Sequence, residues 1–226
     1  MPSERGHREG AARAALSGLV RAARVDRPQI AWRLALVTAG SAVSAYGITL
    51  AIGAGFGGGT LAVLWQGVAR TFGLTLGQAS FAVAALMIAF SLVYDRRQIG
   101  LGTVLYQVVY GLLVDAFSGV HGYVGHPVAN AALMVAGIVL FAAGTGLYAA
   151  TDTGRGSYEA VTFSLSEKNG WPVGRVRVAS DATVVMLGAL LGGELGLCTV
   201  CMMLMSGPVI QRSARLTRKR LLGCRD

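Results

Sequence analysis

Uncharged apolar stretches, each about as long as a lipid hydrocarbon layer is thick, constrain this chain more than any other feature. Residues 34–54 carry no charged side chain. As a helix rising about 1.5 Å per residue they would extend roughly 30 Å, the depth of that layer. Residues 76–94 and 128–150 repeat the pattern, and 99–117 does so apart from Asp115 near its end. Two further stretches are weaker: 173–191 carries Arg175, Arg177 and Asp181 in its first half, and 195–210 has only 16 residues. Residues 60–72 are apolar but too short to cross, and 157–169 are polar. The expectation is an all-α membrane protein of about six transmembrane helices.

Composition agrees. Hydrophobic residues make up 54% of the 226 and charged ones 14%, against roughly 25% charged in soluble domains. That much apolar surface exceeds what one globular core can hide, so the lipid bilayer is its expected partner. The 32 glycines suit helix backbones that approach closely in lipid.

The net charge of +9 does not point to nucleic acid, because the cations flank the apolar stretches rather than forming one basic face. Arg5, Arg8, Arg13, Arg21, Arg24, Arg27 and Arg33 precede the first stretch, and Arg212, Arg215, Arg218, Lys219, Arg220 and Arg225 follow the last. With six crossings and an inside N-terminus, 19 of the 20 Lys and Arg fall on one side, counting Arg175 and Arg177 just inside the fifth stretch, and Arg70 alone on the other. That asymmetry predicts cytoplasmic termini in a multi-pass protein of the bacterial inner membrane. The first 30 residues are Arg-rich and lack the apolar core of a signal peptide. Cys198 and Cys201 form a C-x-x-C inside an apolar stretch with no second pair, and read as packing residues.

An internal repeat organises the chain. Gly57-Gly58-Gly59-Thr60, Gly73 and Gly77 realign 97 residues later on Gly154-Arg155-Gly156-Ser157, Gly170 and Gly174. Gly47 falls on Gly144 in the same register, and with one residue of slippage Gly100-Leu101-Gly102-Thr103-Val104 falls on Gly196-Leu197-Cys198-Thr199-Val200. Three crossings per unit force the second unit to enter from the opposite side, giving inverted repeats, an arrangement common in secondary transporters. The expected divisions are a basic cytoplasmic tail (1–32), repeat 1 (33–117), an extracytoplasmic loop (118–127), repeat 2 (128–211) and a second basic tail (212–226). Each unit carries a short half-helix, opened by a Gly-x-Gly break with Thr60 or Ser157 as expected N-cap and stopped at Gly73 or Gly170. Two placements suit them: dipping into the membrane, where their N–H groups could hold an anion or carboxylate, or lying in the interface as connectors.

These motifs resemble the YczE/YyaS/YitT-like group of small bacterial integral membrane proteins. A G-x-G-P-W-D-V-L-x-x-G pattern of that group is met in part by Gly57-Gly58-Gly59-Thr60-Leu61-Ala62-Val63-Leu64-Trp65-Gln66-Gly67. A D-x-G-x-G-P/S-x-D-A pattern is met more closely by Asp152-Thr153-Gly154-Arg155-Gly156-Ser157-Tyr158-Glu159-Ala160, followed by Trp171, Arg177, Asp181, Gly192-Gly193, Thr199 and Gly207-Pro208. The resemblance covers about residues 33–211 and implies membrane location and architecture rather than a ligand. The acidic position of the first unit is Ala62, whereas Glu159 keeps the acid in the second.

Asp181 is the sharpest candidate for chemistry, since a carboxylate in an apolar span costs about 2.5–3.5 kcal/mol on insertion scales and usually faces a partner or a wet cavity. Arg177, one turn earlier, is its expected partner, and Ala84 stands at its counterpart in the first unit. The candidate substrate pathway comprises Gly57, Gly59, Thr60, Gly154, Arg155, Gly156, Ser157, Glu159, Arg177 and Asp181. Asp115, His121 and His126 cluster near one end without the ligand set of a metal site, so no metal is assigned. Nucleotide-binding, hydrolase and metalloprotease motifs are missing, so neither an enzymatic role nor a cofactor is expected. The leading expectation is a secondary transporter or exporter of a small polar or amphipathic solute. A non-transporting assembly or regulatory protein is the alternative, a membrane enzyme a distant third, and a homo-oligomer is compatible with either of the first two.

Overall fold

The computed structural model describes residues 27–120, 122 and 124–222, apart from the side chains of Arg27 and Pro28. The tail through residue 26, His121, Cys224 and Arg225 lie outside the described residues. Those described form eight α-helices and one short 3-10 turn: α1 (Arg27–Gly53), α2 (Thr60–Phe72), α3 (Leu76–Tyr94), the turn (Arg96–Gln98), α4 (Leu101–Phe117), α5 (Pro127–Ala149), α6 (Ser157–Asn169), α7 (Val173–Leu190) and α8 (Leu197–Leu221). The order long, short, long, long occurs twice. Three helices are long and apolar enough to cross a membrane, spanning Gln29–Gly53, Leu76–Tyr94 and Pro127–Ala149; Leu101–Phe117 is a shorter apolar helix.

Helix ends follow local chemistry. Both half-helices, α2 and α6, stop at a glycine in the left-handed region, Gly73 at φ 65° and Gly170 at φ 66°, where a Cβ would be strained. Thr75 then opens α3 with a capping box: its hydroxyl accepts from the Gln78 N–H, while the Gln78 side chain accepts from the Thr75 N–H, both at 3.1 Å. Residues 212–221 of the basic tail continue the last helix. Nothing after Pro208 breaks the helix, and Arg218, Lys219 and Arg220 complement the carbonyl end of α8. The helix therefore continues to Leu221, eleven residues past the expected end of the span. Its far end meets the start of α1, where the Trp32 indole donates to the Leu221 carbonyl at 3.3 Å.

Helices α1 and α5 run antiparallel at the centre and share the largest contact, with α4 packed on α1 and α8 on α5. Small residues permit the crossing. A Cβ on Gly40 would stand 2.7 Å from the Gly144 carbonyl oxygen, and one on Gly137 would stand 2.6 Å from the Gly47 carbonyl oxygen. Those two contacts are the same contact shifted by the repeat length. Outside this core the half-helices cross over: α2 packs on α7 and α6 on α3, so each short helix leans on the other unit.

Candidate functional site

The segments before α2 and α6 fold back into the bundle, so both half-helices begin inside it. Thr60 and Ser157 line the same cavity of about 100 Å³, together with Gly59, Gly156, Trp65, Tyr106, Tyr110, Tyr148, Glu159 and Arg177. Neither hydroxyl is the cap that the sequence suggests. Extended Gly59 and Gly156 take the N-cap positions, without a side-chain cap hydrogen bond, and the hydroxyls stand on the first turn. The leading amides of both helices are therefore left to the cavity.

Backbone hydrogen bonds hold the entering loops to the opposite unit, in matched sets. Arg155 N–H donates to the Gln98 carbonyl, Gly102 N–H to the Thr153 carbonyl and the Thr103 hydroxyl to the Arg155 carbonyl, at 3.0, 3.0 and 2.7 Å. Across the molecule Gly58 N–H donates to the Glu194 carbonyl, Cys198 N–H to the Phe56 carbonyl and the Thr199 hydroxyl to the Gly58 carbonyl, at 3.0, 3.0 and 2.6 Å.

A second space of about 580 Å³ lies toward the basic end, lined by Arg97, Asp152, Gly154, Arg155, Phe163 and Arg218. Thr145, Tyr148, Gly156, Glu159 and Ile210 line both spaces, so the two adjoin across these residues. Between them stands Tyr148, stacked on Tyr106 with centroids 4.3 Å apart and donating its hydroxyl to the Gly154 carbonyl at 3.0 Å. The Arg155 guanidinium lies 3.6 Å above the Phe163 ring.

The expected pairing of Asp181 with Arg177 is not formed. Asp181, 9% exposed, accepts a 2.6 Å hydrogen bond from the Tyr158 hydroxyl and sits behind the cavity wall rather than in it. Arg177 turns to Glu159 at 3.9 Å, with both side chains about a third exposed. The i, i+4 spacing allowed a pair on α7, but the tyrosine from α6 reaches the buried carboxylate first and Glu159 offers the arginine a wetter partner. Gly57 packs against the Gly196 backbone outside the cavity. Asp115 accepts from the Thr75 hydroxyl at 2.6 Å and from Gly77 N–H at 2.7 Å, and so caps a helix instead of meeting His126. Among the described residues no group of three or more potential ligands could hold a metal.

Sequence reasoning passed over the aromatic wall. Trp65, Tyr110, Tyr106 and Tyr148 form a continuous series of ring contacts through the cavity. Trp65 Nε1 and the Tyr110 hydroxyl have no hydrogen-bond partner there, although the two residues are only 5% and 2% exposed. The signal available beforehand was weak: Trp65 stands five residues into a short helix, and Tyr106 and Tyr110 lie one turn apart on α4.

Known proteins agree with the motif resemblance. The chain is 26% identical over 188 residues to the uncharacterized membrane protein YczE of Bacillus subtilis (strain 168), covering 83% of this chain and 87% of that protein. It is 29% identical over 161 residues to an uncharacterized protein of Haemophilus influenzae, covering 70% and 72%. No solved structure gives a significant match. With a membrane protein among its relatives and three helices of spanning length, this is a membrane protein whose residues 31–215 match the family of unknown function DUF6198, and the chain belongs to that family.

Proposed function

We propose that this protein is a secondary transporter or exporter of a small polar or amphipathic solute, built from two inverted three-span repeats with re-entrant half-helices. One observation carries the reading: the two half-helix N-termini, one from each sequence unit, open onto a single cavity whose aromatic wall is joined by Thr60, Ser157, Glu159 and Arg177. Secondary transporters bind solutes at such a point, where broken helices present free backbone groups between two oppositely oriented halves. The antiparallel α1 and α5 crossing and the matched loop hydrogen bonds support the inversion. The wider space that adjoins the cavity at the basic end, across Tyr148, supports a solute path with Tyr148 as its inner gate. The positive-inside pattern supports a bacterial inner membrane with both termini cytoplasmic.

The test is flux in proteoliposomes over a panel of small metabolites, comparing wild type with Tyr148→Ala and Glu159→Gln. Tyr148→Ala, which removes the ring between the two spaces, is expected to raise leak. Glu159→Gln is expected to lower coupled flux at least tenfold. No flux above that of empty liposomes for any solute would leave the assembly-protein alternative standing. Labelling of single cysteines at positions 74 and 216 from each side of the membrane tests the topology, since six spans require opposite accessibility.

A further inference from the structure

The two half-helix ends in the cavity are not equivalent. Glu159 stands on the first turn of α6 and folds back over Gly156, where a Cβ would meet its carboxylate oxygen. The positive end of α6 is thus already answered by a negative charge. At the counterpart position α2 has Ala62, and no acidic residue lies in its first turn. Among the described residues no side chain caps that end. Trp65 Nε1 and the Tyr110 hydroxyl, both more than nine-tenths buried and unpartnered, stand in the wall of the same cavity. An indole N–H can only donate, and a buried donor without an acceptor costs about 1–3 kcal/mol. The indole and the helix amides ask for an acceptor, the Tyr110 hydroxyl can donate to the same one, and the helix end favours one bearing negative charge.

We propose that this end of the cavity binds a small carboxylate, its oxygens shared among the free amides of α2, the Trp65 indole and the Tyr110 hydroxyl. The proposal rests on the cavity being the solute site of the transport reading. Volume bounds the ligand. A cavity of about 150 Å³ holds benzene, so about 100 Å³ admits a monocarboxylate of roughly four to five heavy atoms, such as acetate or propionate. An organic cation fits the aromatic wall but would face a positive helix end, and the one carboxylate in the cavity is already shared between Arg177 and its own helix.

Calorimetric titration of the purified full-length protein in detergent with acetate, propionate, acetamide and tetramethylammonium tests this without requiring flux. Acetate and propionate are expected to bind, acetamide at least tenfold more weakly, and tetramethylammonium not at all. Tyr110→Phe removes only a hydroxyl that has no partner when the cavity is empty. It is expected to leave the unliganded melting temperature unchanged or raised while weakening acetate about tenfold, as befits one hydrogen bond to a charged group. Trp65→Phe should act likewise, and Ala62→Glu, which copies the second unit's own carboxylate, should abolish binding. Absence of carboxylate binding, equal binding in wild type and Ala62→Glu, or tetramethylammonium binding in place of acetate would overturn the proposal. Flux of some other solute without acetate binding defeats the carboxylate and leaves transport intact. Acetate binding that obeys these variants, in a protein that carries no flux, upholds the site and defeats transport.

Discussion

The two half-helices differ far more in what surrounds them than in how they are built. Both α2 and α6 are 13 residues long, start at an extended glycine, end at a left-handed glycine and follow a loop that shares the same three hydrogen bonds with the opposite unit. Yet Gly58 faces the matching bonds where Arg155 does in the second unit, Leu61 stands for Tyr158, Ala62 for Glu159 and Gln66 for Phe163. Their outer ends are fastened differently too. Arg70 at the end of α2 pairs with Glu194 and also donates to the Gly192 carbonyl at 2.6 Å. At the basic end the corresponding contact is between Gln98 and Glu167, at 3.0 Å. Backbone geometry is thus common to both units, while charge and polarity are concentrated in the second. The scaffold tolerates that divergence because its defining contacts are made by main-chain atoms and glycines, not by the side chains that have changed.

The largest effect is expected where the units meet. Gly144→Leu drives a side chain into the Gly40 carbonyl and should cost about 3 kcal/mol or more, and Gly47→Leu should cost a similar amount. Loss of the monodisperse peak in size-exclusion chromatography checks both. One variant surviving without the other would show that the crossing is less symmetric than its contacts.

Next in size is the Tyr158 and Asp181 pair, which the first unit replaces with Leu61 and Ala84. Tyr158→Phe strands a buried carboxylate and should lower stability by about 1–3 kcal/mol. The double change Tyr158→Leu with Asp181→Ala, which copies the first unit, should cost less than Tyr158→Phe alone, because no buried polar group is left over. Thermal unfolding in detergent reads both. A double variant less stable than the single would mean that the acid matters to the second unit beyond its hydrogen bond.

The matched threonines should give smaller and equal effects. Thr103→Val and Thr199→Val each remove a hydroxyl that donates to a loop carbonyl and accepts from the N–H of Gly100 or Gly196, at about 1–2 kcal/mol apiece, and values differing by more than a factor of two would separate the loops energetically.

Smallest are the outer fastenings, and they should respond to different solution variables. The exposed Arg70 and Glu194 pair is worth under about 1 kcal/mol and should fade with added salt. At the other end, the Gln98 side chain and the Arg97 backbone N–H donate to Asp95 and hold its carboxyl below the ordinary value of 3.8. A lowered folded-state value stabilises above the unfolded value and is lost as pH falls through the folded one. Melting should therefore become less pH-dependent below about pH 4 in Asp95→Asn, with no change in salt response.

Much of this was legible in residues whose effect is local. Gly73 and Gly170 marked where the half-helices stop, because only the left-handed region ends a helix that way, and apolar stretches of bilayer length marked four of the long helices to within three residues of their ends. What could not be read was anything decided by distant partners. Asp181 looked committed to Arg177 because sequence spacing sees only one helix at a time. The tyrosine that captures it comes from α6. Thr60 and Ser157 looked like caps because their identity suits capping, but the glycines before them adopt the extended backbone first. Trp65 and Tyr110 lie 45 positions apart in the chain and form a wall only once α2 is folded back against α4.

Each entering loop is fastened by acceptors and donors that belong to the other unit, and this bears on how the molecule can be made. The Gly58 carbonyl waits for the Thr199 hydroxyl, 141 residues later in the chain. At about 5–20 residues per second of synthesis, the loop before α2 stays unlatched for roughly 7–28 s after it leaves the ribosome. The amino-terminal unit therefore cannot mature by itself and has to be held until its counterpart arrives. Cutting the gene between residues 120 and 127 and supplying the pieces separately would yield two fragments, each missing the partner that closes its own loop.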